Sequence, residues 1–239
     1  MRAVEAGQPP PLSHALPDPL APLTGTAARL LRRAAGLVIT AGLRCLVRLD
    51  HSGVPQDLAV GRRPLLVTNH RSPLDYFVVV AACRTRGVWP SMFAREDFFD
   101  RPLSRWVLRA LGLIPASRGR RAPRALERAS RLLESGQVVV IAAEGRLVPA
   151  EDRPDGVGTV RGGTGRLAEA GADLTVVTIA GASRAWPPGQ RGPHLPLPWR
   201  RPVVTLRARH LGAGPMPADQ ATVAARATMV ELLSGLPET

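Results

Sequence analysis

The chain has 239 residues, a length for one domain with appendages, and its 45% hydrophobic content supports a sizeable core. Its formal charge of +13 comes from 32 basic residues, every one of them arginine, and a surplus this large favours anionic partners such as membrane lipid, nucleic acid or acidic metabolites. With an aromatic content of 4% and no zinc-finger or RNP-type motif there is little to stack or read bases, so specific nucleic-acid binding is set aside.

Residues 1–23 are Pro-rich and lack periodicity, which reads as a disordered arm. No charged segment followed by an apolar run is present there, so a secretory leader is not expected. Residues 24–49 form a basic amphipathic helix with Arg29, Arg32, Arg33, Arg44 and Arg48. The uncharged run between Arg33 and Arg44 is ten residues. A bilayer span needs roughly 20. The helix therefore lies either in the membrane interface, apolar side down and arginines at the headgroups, or on the core with a solvated charged face. Cys45 and Cys83 each sit alone in an apolar stretch, so both are read as buried structural thiols in a reducing compartment, with no metal site.

The remainder, 50–239, reads as one catalytic-sized domain. Apolar, β-rich runs fall at 65–68, 88–93, 113–116, 138–142, 174–179 and 203–208. Helical patterns at 73–84, 98–111, 121–135, 163–170 and 218–234 lie between or after them. Alternation of this kind predicts an α/β fold: a mostly parallel central sheet flanked by helices, with the N-terminal amphipathic helix added. Residues 185–202, with six prolines, are predicted to be a long loop.

In such sheets ligands gather at the carboxyl ends of the strands. The first predicted strand ends there in Asn69-His70-Arg71-Ser72-Pro73-Leu74-Asp75, which sets a histidine and a carboxylate at a strand-to-helix turn. They are the parts of a general base and the group that orients it. The same residues also make a helix start, with Ser72 as N-cap, Pro73 in the first turn and Asp75 closing a capping box. A capped helix is itself a rigid mount for a catalytic pair, so the two readings coexist. A second predicted strand ends in Glu144-Gly145-Arg146, a charged pair that packing does not account for. Arg118 closes a third run, and Arg161-Gly162-Gly163-Thr164-Gly165 opens a helix.

Taken in order, these pieces resemble the glycerolipid acyltransferase family that includes the lysophosphatidic acid acyltransferases. Asn69 to Asp75 matches its NHxSxxD block without a gap; Gly112 to Arg118 is similar to its second block, Ala142 to Leu147 to its third, and Val176 to Gly181 to its fourth. Three departures stand out: Ala143 and Val176 where the family has proline, and Arg146 where it has threonine.

The resemblance implies transfer of an acyl group from a thioester, acyl-CoA or acyl-carrier protein, to a hydroxyl. The expected acceptor is a lysolipid such as 1-acylglycerol-3-phosphate. His70 and Asp75 would be catalytic; Arg118, Glu144, Gly145 and Arg146 would bind the acceptor's polar head. Backbone N–H groups near Ser72 are candidates for the oxyanion. No cofactor and no metal are implied. The expected partner is a membrane surface with anionic lipids, reached from the cytoplasmic face. The departures leave open a non-phosphate acceptor (an aminolipid, a glycolipid or a specialised metabolite) and a non-catalytic peripheral membrane protein.

Overall fold

A computed structural model describes residues 20–58, 61–116, 122–153 and 155–236. Its seven-stranded sheet contains β1 (Arg48–Gly53), β2 (Pro64–Thr68), β3 (Ser91–Arg95), β4 (Leu113–Ala116), β5 (Val139–Ala142), β6 (Asp173–Ala180) and β7 (Val203–Gly212). In space the order is β1-β7-β6-β2-β5-β3-β4. All pairs are parallel except β6 with β7. Among the described residues seven helices surround it: α1 (Thr26–Leu46), α2 (Asp75–Arg84), α3 (Pro102–Ala110), α4 (Ala122–Glu134), α5 (Gly162–Glu169), the single turn α6 (Ala182–Ala185) and α7 (Ala218–Ser234). This is the α/β architecture expected from the alternation.

The central strands are mostly apolar because both faces are covered. Period-two alternation then divides their side chains between two cores. Leu66, Val140, Val177 and Ile179 join the buried residues of α1 and α2 on one face. Leu65, Val67, Val139, Leu174 and Val176 join α4, α5 and α7 on the other. The helix that follows β2 therefore packs on one face of the sheet, and the helix that follows β5 packs on the opposite face. Adjacent parallel strands whose connections part in this way leave a crevice at their carboxyl ends, where α/β sheets bind ligands.

Several boundaries differ from the sequence-based expectations. The N-terminal helix stops at Leu46, and residues 48–53 pair with β7 as an edge strand. The third strand begins at Ser91 rather than 88: Pro90 has no N–H to give, and Ser91 N–H is the first donor, to Val138 O (2.8 Å). The helix expected over 98–111 is a short 3₁₀ turn, Glu96–Phe99, followed by α3, which Pro102 opens. The long loop contains α6 and a 3₁₀ turn at Pro198–Arg200. Of the arm at 1–23, residues 1–19 lie outside the described residues.

α1 packs on α2 and α3 through Ala28, Gly36 and Leu43, and Arg32 Nε donates to Ala110 O (2.8 Å). Its other side is exposed and also apolar, carrying Leu30, Ala34, Leu37, Val38 and Ala41 beside Arg29 and Arg33. Cys45 lies on that exposed side, which corrects the expectation of two buried thiols; Cys83 is buried in α2. Burial pushes the Cys83 thiol up to about 12. It stays protonated and unreactive at neutral pH, because the thiolate is the nucleophile. A thiol reagent added to the native protein should therefore titrate one sulfhydryl, and the second only on unfolding. Two fast-reacting thiols in the native state would refute the burial of Cys83. No helix among the described residues is long and apolar enough to cross a membrane.

Candidate active site

Strand register brings the site together. Thr68 of β2 pairs with Ala142 of β5, so the chain leaves both strands side by side, with Asn69-His70 next to Ala143-Glu144. On the other flank, Asn69 replaces a strand residue with its side chain. Its Nδ2 donates to Ile179 O, its Oδ1 accepts from Ile179 N–H, both at 2.8 Å, and the residue is fully buried. That side-chain amide extends the β2–β6 ladder one step and fixes where His70 emerges.

His70 Nδ1 lies 3.2 Å from Asp75 Oδ2. The same oxygen accepts from the backbone N–H of Arg71 (2.7 Å) and of Ser72 (2.8 Å). An oxygen already accepting two amide protons has none to give, so Nδ1 carries the hydrogen and Nε2 keeps a lone pair. The Asp75 side chain is 4% exposed and that of His70 28%, so the acid is enclosed and the ring reaches the surface. No described protein group hydrogen-bonds Nε2. The capping reading holds in part: α2 begins only at Asp75, after Leu74, but in the turn before it Ser72 Oγ accepts from Leu74 N–H (3.0 Å) and Asp75 reciprocates on Ser72 N–H. One carboxylate thus caps the helix start and orients the imidazole. Tyr76, next to it, is pushed up to about 12 by burial and stays a phenol.

The Ser72 turn has no donor to spare for an oxyanion. The N–H groups of Arg71 and Ser72 go to Asp75, that of Leu74 to Ser72 Oγ, and that of Asp75 to Ser72 O (3.1 Å). Pro73 has none. The N–H groups of residues 71–75 are thus engaged, and the expectation of oxyanion donors near Ser72 narrows to those that follow in the first turn of α2.

Glu144 is 1% exposed and both its oxygens are engaged. Oε2 accepts from His70 N–H (2.9 Å) and Oε1 from Gly158 N–H (2.8 Å). It ties the loop carrying His70 to the loop preceding α5, and its carboxylate faces backbone amides rather than solvent. A buried carboxylate is tolerable because two amide dipoles point at it. Replacing Glu144 with Ala would strand both N–H groups, at a cost of about 2–5 kcal/mol. Glutamine is not conservative either, because its NH₂ would face a donor. We expect Glu144→Gln to lower kcat with little change in the acceptor KM. A raised KM with kcat intact would mean that Glu144 touches the acceptor.

The other expected binding residues spread out. Gly145 takes a left-handed conformation (φ 66°), and a Cβ there would press on Arg161 Cγ at 3.3 Å. Arg146 is exposed and pairs with Asp152 Oδ2 (3.0 Å). Two residues on, Val148 N–H donates to His70 O, which keeps this loop against the histidine. Arg161, at the start of α5, donates its N–H to Ala143 O (2.7 Å) and its Nε to Glu144 O (3.4 Å). Arg118 lies outside the described residues. The departure at Ala143 has a structural counterpart: its N–H donates to Thr68 O (2.7 Å), a bond proline could not make. At the end of the fourth block, Gly181 (φ 86°) lets β6 turn beside β7, where a Cβ would stand 2.2 Å from Val203 O.

Sequence reasoning missed the positioning role of Glu144 and the plug made by Asn69. The available signals were a lone asparagine beside the histidine and a carboxylate directly after a buried strand.

Comparison with known proteins places this geometry. The 1-acyl-sn-glycerophosphate acyltransferase PlsC of Thermotoga maritima superposes with a TM-score of 0.60 at 18% identity, over 89% of this chain and 81% of that one. It shares the fold. Among curated proteins, none matches the sequence. The sequence model of the acyltransferase family matches residues 51–181, more than half of the chain, from β1 through all four blocks to the glycine that ends β6. By that match the chain belongs to the acyltransferase family and is an O-acyltransferase.

Proposed function

We propose that the enzyme moves a fatty acyl group from a thioester, acyl-CoA or acyl-carrier protein, to a hydroxyl of a lysophospholipid such as 1-acylglycerol-3-phosphate. The observation that carries this reading is the imidazole of His70, held by an enclosed carboxylate at Nδ1 while the ring as a whole reaches the surface. The acceptor hydroxyl attacks the thioester carbonyl while Nε2 takes its proton. Asp75 stabilises the imidazolium so formed. The tetrahedral intermediate collapses, the C–S bond breaks, and the imidazolium returns the proton to the departing thiolate. Ester and thiol result, and the step balances without a cofactor.

Gly145, Arg146 and Arg161 would take the acceptor's head group, with Arg118 joining them; Glu144 acts on them as a positioning residue. α1 would lie in the interface of the cytoplasmic face, its exposed apolar stripe down and Arg29 and Arg33 at anionic headgroups. One observation favours a non-phosphate acceptor as a second reading: Arg146 is already paired with Asp152.

Thiol release from acyl-CoA and acyl-carrier protein, measured with 1-acylglycerol-3-phosphate and with lyso-aminolipid and glycolipid acceptors, separates the two. Acylation of 1-acylglycerol-3-phosphate supports the first. Turnover confined to acceptors without phosphate rejects it in favour of the second. Thiol release equal with and without any acceptor would reject both.

A further inference from the structure

We infer that residues 191–203 are a second membrane-contacting element, which seats the His70 end of the sheet on an anionic bilayer surface. The inference deepens the proposed reading of α1 and rests on it for the orientation of the molecule. Within this segment Leu195 is 86% exposed, Trp199 77%, Leu197 52% and Val203 46%. Three large apolar side chains on the loop and a fourth on Val203, which opens β7, are a patch, and such patches mark interaction sites. Arg191, Arg200 and Arg201 bracket it, and no acidic residue occurs between Asp173 and Asp219. Apolar side chains within an uninterrupted basic stretch fit a surface that is apolar beneath and anionic on top, with Trp at the boundary.

The backbone suits that environment. Leu195, Leu197 and Trp199 alternate with Pro196 and Pro198. Proline has no N–H to desolvate, and it holds the segment in place before binding.

Placement supports the same reading. At one end Arg201 Nη1 donates to Arg44 O, and Arg48 N–H donates to Pro202 O (2.9 Å), so the segment abuts the C-terminal end of α1. At the other end His194 N–H donates to Ala185 O (2.8 Å), next to Trp186. Trp186 O accepts from Ser72 Oγ (2.7 Å), and its ring stacks on Phe77 of α2 (6.4 Å). The segment therefore bridges the interfacial helix and the turn that carries the catalytic pair.

The test uses the full chain and phosphatidylcholine vesicles with and without phosphatidylglycerol, some with bromine-bearing acyl chains that quench tryptophan. We expect quenching on the anionic vesicles, most of it absent in Trp199→Phe. We expect Leu195→Glu/Leu197→Glu to weaken sedimentation with these vesicles by about tenfold, or ~1.4 kcal/mol. Both residues are exposed, so the melting temperature should stay put.

Leu37→Glu/Val38→Glu tests α1 separately. If it binds as wild type while the loop variant does not, the α1 reading fails and the loop assignment stands. Unchanged quenching in Trp199→Phe, or wild-type partitioning of the loop variant, overturns the assignment whatever α1 does. So does a vesicle-free dimer that the loop variant turns into monomer, because the patch would then belong to a second copy of the chain.

Discussion

Replacing His70 with alanine should lower acyl transfer by roughly 10²–10⁴-fold, the usual worth of general base catalysis, and leave the chain folded. The fold survives because what anchors this turn is not the imidazole. Glu144 holds the backbone N–H of residue 70, and the Asn69 side chain holds β6; an alanine keeps both. The lost ring makes one protein hydrogen bond, to Asp75. Thiol release measured beside a thermal melt separates the two effects. A melting temperature near wild type with transfer gone is the expected result. Substantial activity in the alanine variant would mean that another group takes the acceptor's proton, and the mechanism would have to be rebuilt around it.

Asp75 is expected to give a different signature, because its Oδ2 serves the backbone and the base at once. Asp75→Ala removes the acceptor for Arg71 N–H and Ser72 N–H as well as for the ring, so stability should fall by about 1–3 kcal/mol along with activity. Asp75→Asn keeps one oxygen for those donors. It should recover part of the stability but not the rate, because a neutral amide does not stabilise the imidazolium; a loss of roughly 10²-fold or more is expected. The double variant His70→Ala/Asp75→Ala should be no slower than His70→Ala alone, since residues that act as a unit are not additive. Urea unfolding and kcat/KM on the four proteins test this. If Asp75→Asn matches wild-type turnover while Asp75→Ala is merely less stable, Asp75 is a cap and nothing more.

The sheet was legible where local chemistry decides it. β2, β5 and β6 are mostly apolar runs, broken only by Thr68, Asp173, Thr175 and Thr178, and each was readable to within a residue or two. β1 was not: Arg48-Leu49-Asp50-His51-Ser52-Gly53 is largely polar, and it is a strand only because β7, over 150 residues away in sequence, offers it an edge. The antiparallel turn of β7 against β6 is likewise a property of the partner and not of the segment. At the site, the His70–Asp75 relation is local, since a strand-to-helix turn of that length brings the two together. The partners of Glu144 are 74 and 14 residues away, and nothing in their types announces them, because they are backbone amides. The Asp152 side chain that pairs with Arg146, an expected head-group residue, lies six positions on and was equally unannounced.

The plug that Asn69 makes in β6 bears on which parts of the protein can open on their own. Regions that open cheaply are those with few buried contacts, and catalytic loops are often drawn from them. Here the residue before the base is stitched to the end of the central ladder, so releasing His70 means breaking both bonds between Asn69 and Ile179 beside the β2–β6 pairing. The amide of Ile179, which donates to Asn69 Oδ1, should therefore exchange with solvent deuterium only as slowly as those of Val176 and Val177 deeper in the strand. In Asn69→Ala it should exchange much faster while the others stay protected. The base of this enzyme is thus mounted on the central sheet, and the mobility needed to admit and release its substrates falls to the loops around it.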